Sequence, residues 1–222
     1  MNKNVCIIPA RQGSTRLKNK NFKLFKNKKL IEHTIISAIK SKLFDKIILS
    51  SDSNKILALS KKYSITPFFR DKFADNLSSV ASATIYTLKK MKLNKQYKNV
   101  VQLMPSCPLR DEMDIKKSFK NFEKKKFMSQ ISCFKISWLH FNWAIEKKNN
   151  TFNHFFKKKN RKKELNIFYP TGAIWIANTN HLIKHGNFYN KNTKFFELDW
   201  LNSIDIDTKL DFKEALRLSK IK

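Results

Sequence analysis

Val5-Cys6-Ile7-Ile8-Pro9-Ala10-Arg11-Gln12-Gly13-Ser14-Thr15-Arg16 opens with a short apolar run that reads as a buried strand and breaks at Pro9 into a cationic loop. The loop continues through Leu17-Lys18-Asn19-Lys20-Asn21 to a helix-like segment near Leu30. A strand, a cationic loop and a helix are how α/β proteins present phosphate-binding groups at the carboxyl edge of a sheet. Only three glycines occur in the chain, so Gly13 is expected where backbone freedom is needed. The stretch reads as a nucleoside-triphosphate loop.

Outward from it, apolar runs alternate with helical spacings. Lys46–Ser51 reads as a second strand ending at Asp52, and Asn99–Met104 as a third ending at Pro105. Ser129–Phe134 and Gly172–Ala177 read as two more. Helices are predicted over Leu30–Lys40, Ser53–Tyr63, Val80–Met91, Asp111–Lys124 and Thr208–Lys220, the last opened by a Thr208-x-x-Asp211 capping box. The alternation predicts an α/β fold with one doubly wound, mostly parallel, Rossmann-like sheet. At 222 residues this is a single domain spanning 1–222. From Lys135 to Tyr169 the rhythm fails, and Trp138, Phe141, Trp143, Phe152, Phe155 and Phe156 cluster among basic residues. That stretch is either an insertion packing on a partner subunit or a mobile lid over a substrate.

Composition narrows the class. No apolar run is long enough for a membrane span, and Val5–Pro9 is too short for a secretory signal. Cys6, Cys107 and Cys133 have no metal or redox spacing and read as buried, reduced thiols of a cytoplasmic protein. The net charge of +29 ordinarily points to nucleic acid. Here Lys outnumbers Arg by 40 to 6, and Asn, Ile and Phe are abundant. That is the signature of an AT-rich genome, so the charge implies weak, salt-sensitive RNA contact and no specific nucleic-acid partner.

Ser203-Ile204-Asp205-Ile206-Asp207-Thr208 supplies the second chemical motif. In an extended strand Asp205 and Asp207 project to one side, and a divalent cation between them relieves their repulsion. Mg²⁺ held by carboxylates and substrate phosphates fits that pattern. Solvated aspartates ahead of a helix cap are the plain alternative, and the cationic loop at the other end of the chain favours the metal–nucleotide reading.

Five motifs in order carry a family resemblance: Ala10-Arg11-Gln12-Gly13-Ser14 with Lys20-Asn21, Phe44 to Asp52, Pro105-Ser106-Cys107-Pro108-Leu109-Arg110, Gly172-Ala173-Ile174-Trp175-Ile176, and Ser203 to Asp211. Through them the chain resembles, almost end to end, the bacterial CMP-N-acetylneuraminic acid synthetase (acylneuraminate cytidylyltransferase) family. The resemblance implies that CTP and a nonulosonic acid give a CMP-sugar and pyrophosphate, in a homodimer whose 135–170 insertion helps complete the neighbour's sugar site. It implies that Arg11 and Lys20 hold the triphosphate, and that Asp205 and Asp207 hold Mg²⁺, with Arg11, Lys20 and Asp207 as the catalytic set. Ala10, Gly13, Ser14, Asn21, Arg70, Ser78, Ser79 and Pro105 fall on the nucleotide side. For Arg70 an ion pair with Asp71 or Asp75 is the alternative, and for Ser78/Ser79 a helix N-cap.

Gln102, Met104, His140, Tyr169, Thr171, Phe188 and Tyr189 fall on the sugar side, His140 being equally readable as a structural partner. Two departures stand out. Met104 replaces a glutamine usual in relatives, and Tyr169-Pro170-Thr171 replaces an Arg-x-Asn. Both touch the sugar more than the CTP, which keeps open legionaminic, pseudaminic or 3-deoxy-octulosonic acid as substrates. A basic RNA-binding or catalytically impaired paralogue is the reading from another class.

Overall fold

The protein is described by a computed structural model covering residues 3–73, 79–136, 143–155 and 166–221. Seven strands form its central sheet: β1 (Asn4–Ala10), β4 (Lys46–Ser51), β5 (Thr66–Phe69), β6 (Asn99–Gln102), β7 (Ser129–Lys135), β10 (Phe168–Asn178) and β11 (Lys194–Glu197). Two short pairs stand outside it, β2 (Leu24–Phe25) with β3 (Lys28–Lys29), and β8 (Ile145–Lys148) with β9 (Thr151–His154). The helices are α1 (Leu30–Ser41), α2 (Asn54–Leu57), α3 (Leu59–Tyr63), α4 (Val80–Lys90), α5 (Glu112–Lys124), α6 (Thr179–His185) and α7 (Lys209–Leu218).

Strand order is β11-β7-β10-β6-β1-β4-β5. Every neighbouring pair is parallel except those made by β10, which runs antiparallel to both β6 and β7. From β1 the chain winds out through β4 and β5, then returns to place β6 on the other side of β1. The order therefore reverses between β1 and β6, where open α/β sheets leave a crevice beyond their strand ends. β1 can occupy the centre because all seven of its residues are buried. Its alternate side chains feed two cores: Cys6 and Ile8 pack under α1 and α5, while Val5 and Ile7 pack on the face bearing α4 and α6.

Observed bounds differ from the sequence reading where local breaks intervene. The expected helix Ser53–Tyr63 is interrupted at Ala58, giving α2 and α3. β10 is an eleven-residue strand with a register shift between Pro170 and Trp175. Gly13 is not in the left-handed region, and a Cβ there meets nothing within 4 Å. The freedom expected of Gly13 is used instead at Gly186 (φ +69), which closes α6. At Gly172 space decides: a Cβ would lie 3.1 Å from both Asp205 Oδ2 and Met104 Cγ. Elsewhere lysines take left-handed turn positions, including Lys42 (φ 53) after α1 and Lys92 (φ 52) after α4.

Glu32, buried at the third position of α1, reaches back to the Lys29 N–H at 2.8 Å. It also accepts from Lys62 Nζ at 2.7 Å and the Tyr63 hydroxyl at 2.8 Å, tying α1 to α3. Burial pushes its carboxyl up, but these bonds together outweigh it and hold the pKa at about 2. A depressed folded-state pKa contributes stability that is present above the unfolded value of about 4.3 and lost as pH falls towards the folded one. Denaturation of the wild type should therefore show falling stability from about pH 4.5 to about pH 2, and Glu32→Gln should flatten that slope while lowering stability at pH 7; an unchanged slope would remove Glu32 as its source.

Candidate functional site

At the β1/β6 crevice lies a cleft of about 370 Å³, within the range of small-molecule sites. One wall is the loop after β1. Leu17, buried against Phe25 and Leu30, pins the middle of this loop, and Lys20 N–H closes a turn on the Leu17 carbonyl at 3.1 Å. Arg11, Ser14, Thr15, Arg16, Lys20 and Asn21 face the cleft in consequence. Asn21 is buried and its side-chain amide donates to the Arg11 carbonyl at 3.0 Å. The loop is also held from β4, where Asp52 accepts from the Gln12 N–H at 2.8 Å.

A second wall, in contact with the first, is the extended segment after Leu201–Ser203. No strand forms over 204–207, contrary to expectation, yet the alternation survives. Ile206 is buried among Leu17, Phe25 and Leu30 and its N–H donates to the Ser106 carbonyl, so Asp205 and Asp207 both face the cleft. The surrounding protein strips water from Asp205 and raises its pKa. A Ser106 hydrogen bond opposes that rise, and the Asp207 charge adds to it. Asp207 accepts from Arg16 Nη2 at 2.7 Å and from Lys20 Nζ at 3.1 Å, and Lys20 donates also to the Ile206 carbonyl at 2.8 Å.

Arg70 completes the cationic side. It is 2% exposed and lines the cleft. Its guanidinium donates to the carbonyls of Lys72 (3.2 Å) and Phe73, not to Asp71, whose carboxylate accepts from the Tyr86 hydroxyl. Burial lowers the Arg70 pKa, Asp52 opposes this, and the neighbouring Arg11 charge adds to it. Two cations held together at a desolvated edge favour an anion between them. Ser79 does both things open to it, lining the cleft and capping α4 by accepting from the Ser82 N–H at 3.1 Å. Ala10, Met104 and Pro105 form the floor.

The remaining expected site residues are scattered. Gly13 does not line the cleft. Gln102 is fully buried on β6 and accepts from Thr84 Oγ1 at 2.6 Å, facing α4 and not the opening. Phe188 is a core residue at 0% exposure, stacked edge-on to Trp175, because the turn after Gly186 drives it inward. Tyr189 packs on the same indole at 5.5 Å and stays outside the cleft. Tyr169 and Thr171 line a separate groove of about 430 Å³ that shares Asp205 with the cleft. Phe134, Pro170 and Trp200 make the rest of that groove largely apolar. Ser78 and His140 lie outside the described residues. Sequence reasoning missed Arg16, whose partner is 191 positions away, and the buried Arg110, whose Pro-Leu-Arg context was its signal.

Arg110 donates from Nη1 to the Ala173 carbonyl and from Nη2 to Thr34 Oγ1, both at 2.9 Å. Thr34 donates onward to the Met104 carbonyl at 3.2 Å. This joins α1, β10 and the loop after β6 beneath the cleft. Two carboxylates face the cleft, with no histidine or cysteine lining it beside them among the described residues, a donor set that suits a hard cation such as Mg²⁺ taking its other ligands from water and phosphate.

The chain is 30% identical over 99% of its length to the pseudaminic acid cytidylyltransferase of Campylobacter jejuni subsp. jejuni serotype O:23/36, covering 97% of that protein. It is 27% identical over 98% of its length to the N-acylneuraminate cytidylyltransferase of Escherichia coli O18:K1:H7, of which it spans 52%. Its fold matches that of a CMP:2-keto-3-deoxy-manno-octonic acid synthetase solved with CTP, at a TM-score of 0.73, 14% identity and 99% coverage of both chains. The cytidylyltransferase family matches residues 5–222, and the chain belongs to that family.

Proposed function

We propose that this enzyme transfers a cytidylyl group from CTP to the anomeric hydroxyl of a nonulosonic acid. The observation that carries the reading is the cleft at the β1/β6 reversal, lined by Arg11, Lys20 and Arg70 together with Asp205 and Asp207. A bond forms between the sugar oxygen and the α-phosphorus, the bond from that phosphorus to the bridging oxygen breaks, and pyrophosphate leaves as the hydroxyl proton departs. Lys20, fixed by the Ile206 carbonyl, is positioned to meet charge growing on the leaving group. Arg11 and Arg70 bind the triphosphate and orient it for in-line attack. Asp205 and Asp207 hold Mg²⁺, which when bound polarises the α-phosphate and neutralises its charge. Ser14, Asn21 and Ser79 supply polar contacts on the nucleotide side.

The sugar half is read from the groove across Asp205. Met104, Tyr169, Phe134 and Trp200 offer it more apolar surface than hydrogen-bonding groups. This favours a deoxy, acylamino acid of the pseudaminic or legionaminic type over N-acetylneuraminate, whose polyhydroxyl tail needs polar partners. The exposed Trp143, Ile145, Phe152 and Phe155 on and beside the β8–β9 pair support a homodimer formed through the 135–170 region. Reduced, buried Cys6, Cys107 and Cys133 suit a cytoplasmic site of action, and among the described residues no helix is long and apolar enough to cross a membrane.

With Mg²⁺ and CTP, pyrophosphate release should appear with one of a panel of nonulosonic acids and not with ATP or GTP. Silence across the panel together with no CTP binding would sink the reading. Asp207→Asn should abolish turnover, and Lys20→Ala should lower kcat/KM by about 2–4 kcal/mol of transition-state stabilisation; wild-type rates in either remove its assigned role. Gly172→Ala should push the Asp205 carboxylate by a few tenths of an ångström, lowering kcat by about tenfold with a melting temperature within a few degrees of wild type. An unchanged kcat would show that this position of Asp205 is not needed. Light scattering at micromolar concentration should give twice the 26.3 kDa chain mass, and a monomer would contradict the dimer.

A further inference from the structure

Each carboxylate oxygen of Asp207 accepts a hydrogen bond from a cation. Arg16 Nη2 donates to Oδ2 at 2.7 Å and Lys20 Nζ to Oδ1 at 3.1 Å. The two cations are held very differently. Lys20 has a second anchor on the Ile206 carbonyl and a side chain only 17% exposed. Arg16 is 65% exposed, and Asp207 is its one hydrogen-bond partner among the described residues. Exposed ion pairs of this kind are weak and exchange readily.

We propose that Arg16 works in two positions: paired with Asp207 it guards that carboxylate, and released from Asp207 it binds the triphosphate. The inference rests on the reading of Asp207 as a cation ligand. A divalent cation approaching Asp207 meets the charges of both partners, and Arg16 is the one that can leave at least cost. Once released it stands on the same wall as Arg11, Ser14 and Lys20. Its planar fork there suits phosphate oxygens that are absent until CTP arrives. Cation and nucleotide therefore each remove the same obstacle to the other, and their binding is coupled in both directions. The guard also stops a divalent cation from settling on the carboxylates ahead of the nucleotide.

The full-length chain, its Arg16→Ala variant and its Arg16→Lys variant separate this from a plain structural tether. Mn²⁺ serves as the probe, its free form counted by electron paramagnetic resonance, and CTP affinity is read by calorimetry with Mn²⁺ present. Without nucleotide, Arg16→Ala should bind Mn²⁺ about 3- to 5-fold more tightly than wild type, since one exposed pair is lost. The same variant should bind CTP at least about tenfold more weakly, since a charged phosphate contact is lost. Arg16→Lys should restore part of the guard and less of the CTP affinity. A tether predicts neither rise nor opposite signs, so unchanged Mn²⁺ affinity or unchanged CTP affinity in Arg16→Ala overturns the proposal. Should Asp207→Asn bind Mn²⁺ and CTP as the wild type does, the assignment of Asp207 itself fails instead.

Discussion

The fork of Arg110 holds the cleft in shape. Its guanidinium, 1% exposed, donates to the Ala173 carbonyl of β10 and the Thr34 hydroxyl of α1. Burial lowers the pKa of such a group, with the nearby Asp114 and Asp111 charges among the influences opposing the shift. The position is costly, so its hydrogen bonds matter. Through Thr34 the fork reaches the Met104 carbonyl, and through Ala173 it fixes the neighbouring Gly172, against which Asp205 and Met104 are packed. One buried side chain thus sets the spacing between the floor of the cleft and a carboxylate on its wall. An Arg110 truncated to an apolar residue would leave the Ala173 carbonyl without its donor and the Gly172–Asp205 contact without its support.

Charge in the cleft follows a different rule from charge on the molecule. Most of the +29 is spread over lysines on helices, turns and loops, where water screens it within about 10 Å. Inside the cleft a few charged groups are held close together, and each is defined by its partners. Asp207 is met by Lys20 and Arg16, while Arg70 is turned towards carbonyls beside a second arginine. Four cationic side chains face two carboxylates there, an excess of positive charge suited to a triphosphate arriving with its cation. The overall basic character is consistent with a composition shaped by codon bias and has no part in that binding.

The doubly wound sheet was legible in the sequence because β1, β4 and β6 are buried on both faces and so read as continuous apolar runs. The caps of α5 and α7 were legible as well, since Asp111 and Thr208 bond their third-position residues as their spacing predicts. Edge strands were not. β5 contains Pro67, and β11 reads Lys-Phe-Phe-Glu, with only partial burial in each. The direction of β10 was also hidden, because periodicity gives a strand its faces but not its sense. At the site, Arg11, Lys20, Asp205 and Asp207 line one cleft, as a shared role for their motifs requires. Phe188 and Gln102 failed because a position near a motif does not say which face a side chain takes, and both turn into the core.

Lysine at left-handed turns leaves a mark on the energetics of the whole chain. Lys26, Lys42, Lys92 and Lys126 all adopt positive φ, where an L side chain costs about 1–2 kcal/mol relative to the relaxed backbone. Glycine, which bears no such cost, holds one positive-φ position among the described residues, Gly186. A composition biased away from glycine has therefore left strain at turns, and the strained lysines lie outside the lining of the cleft. The protein's thermal margin and its chemistry are separable for that reason: replacing turn lysines by glycine offers a route to a sturdier enzyme that leaves every residue of the cleft in place.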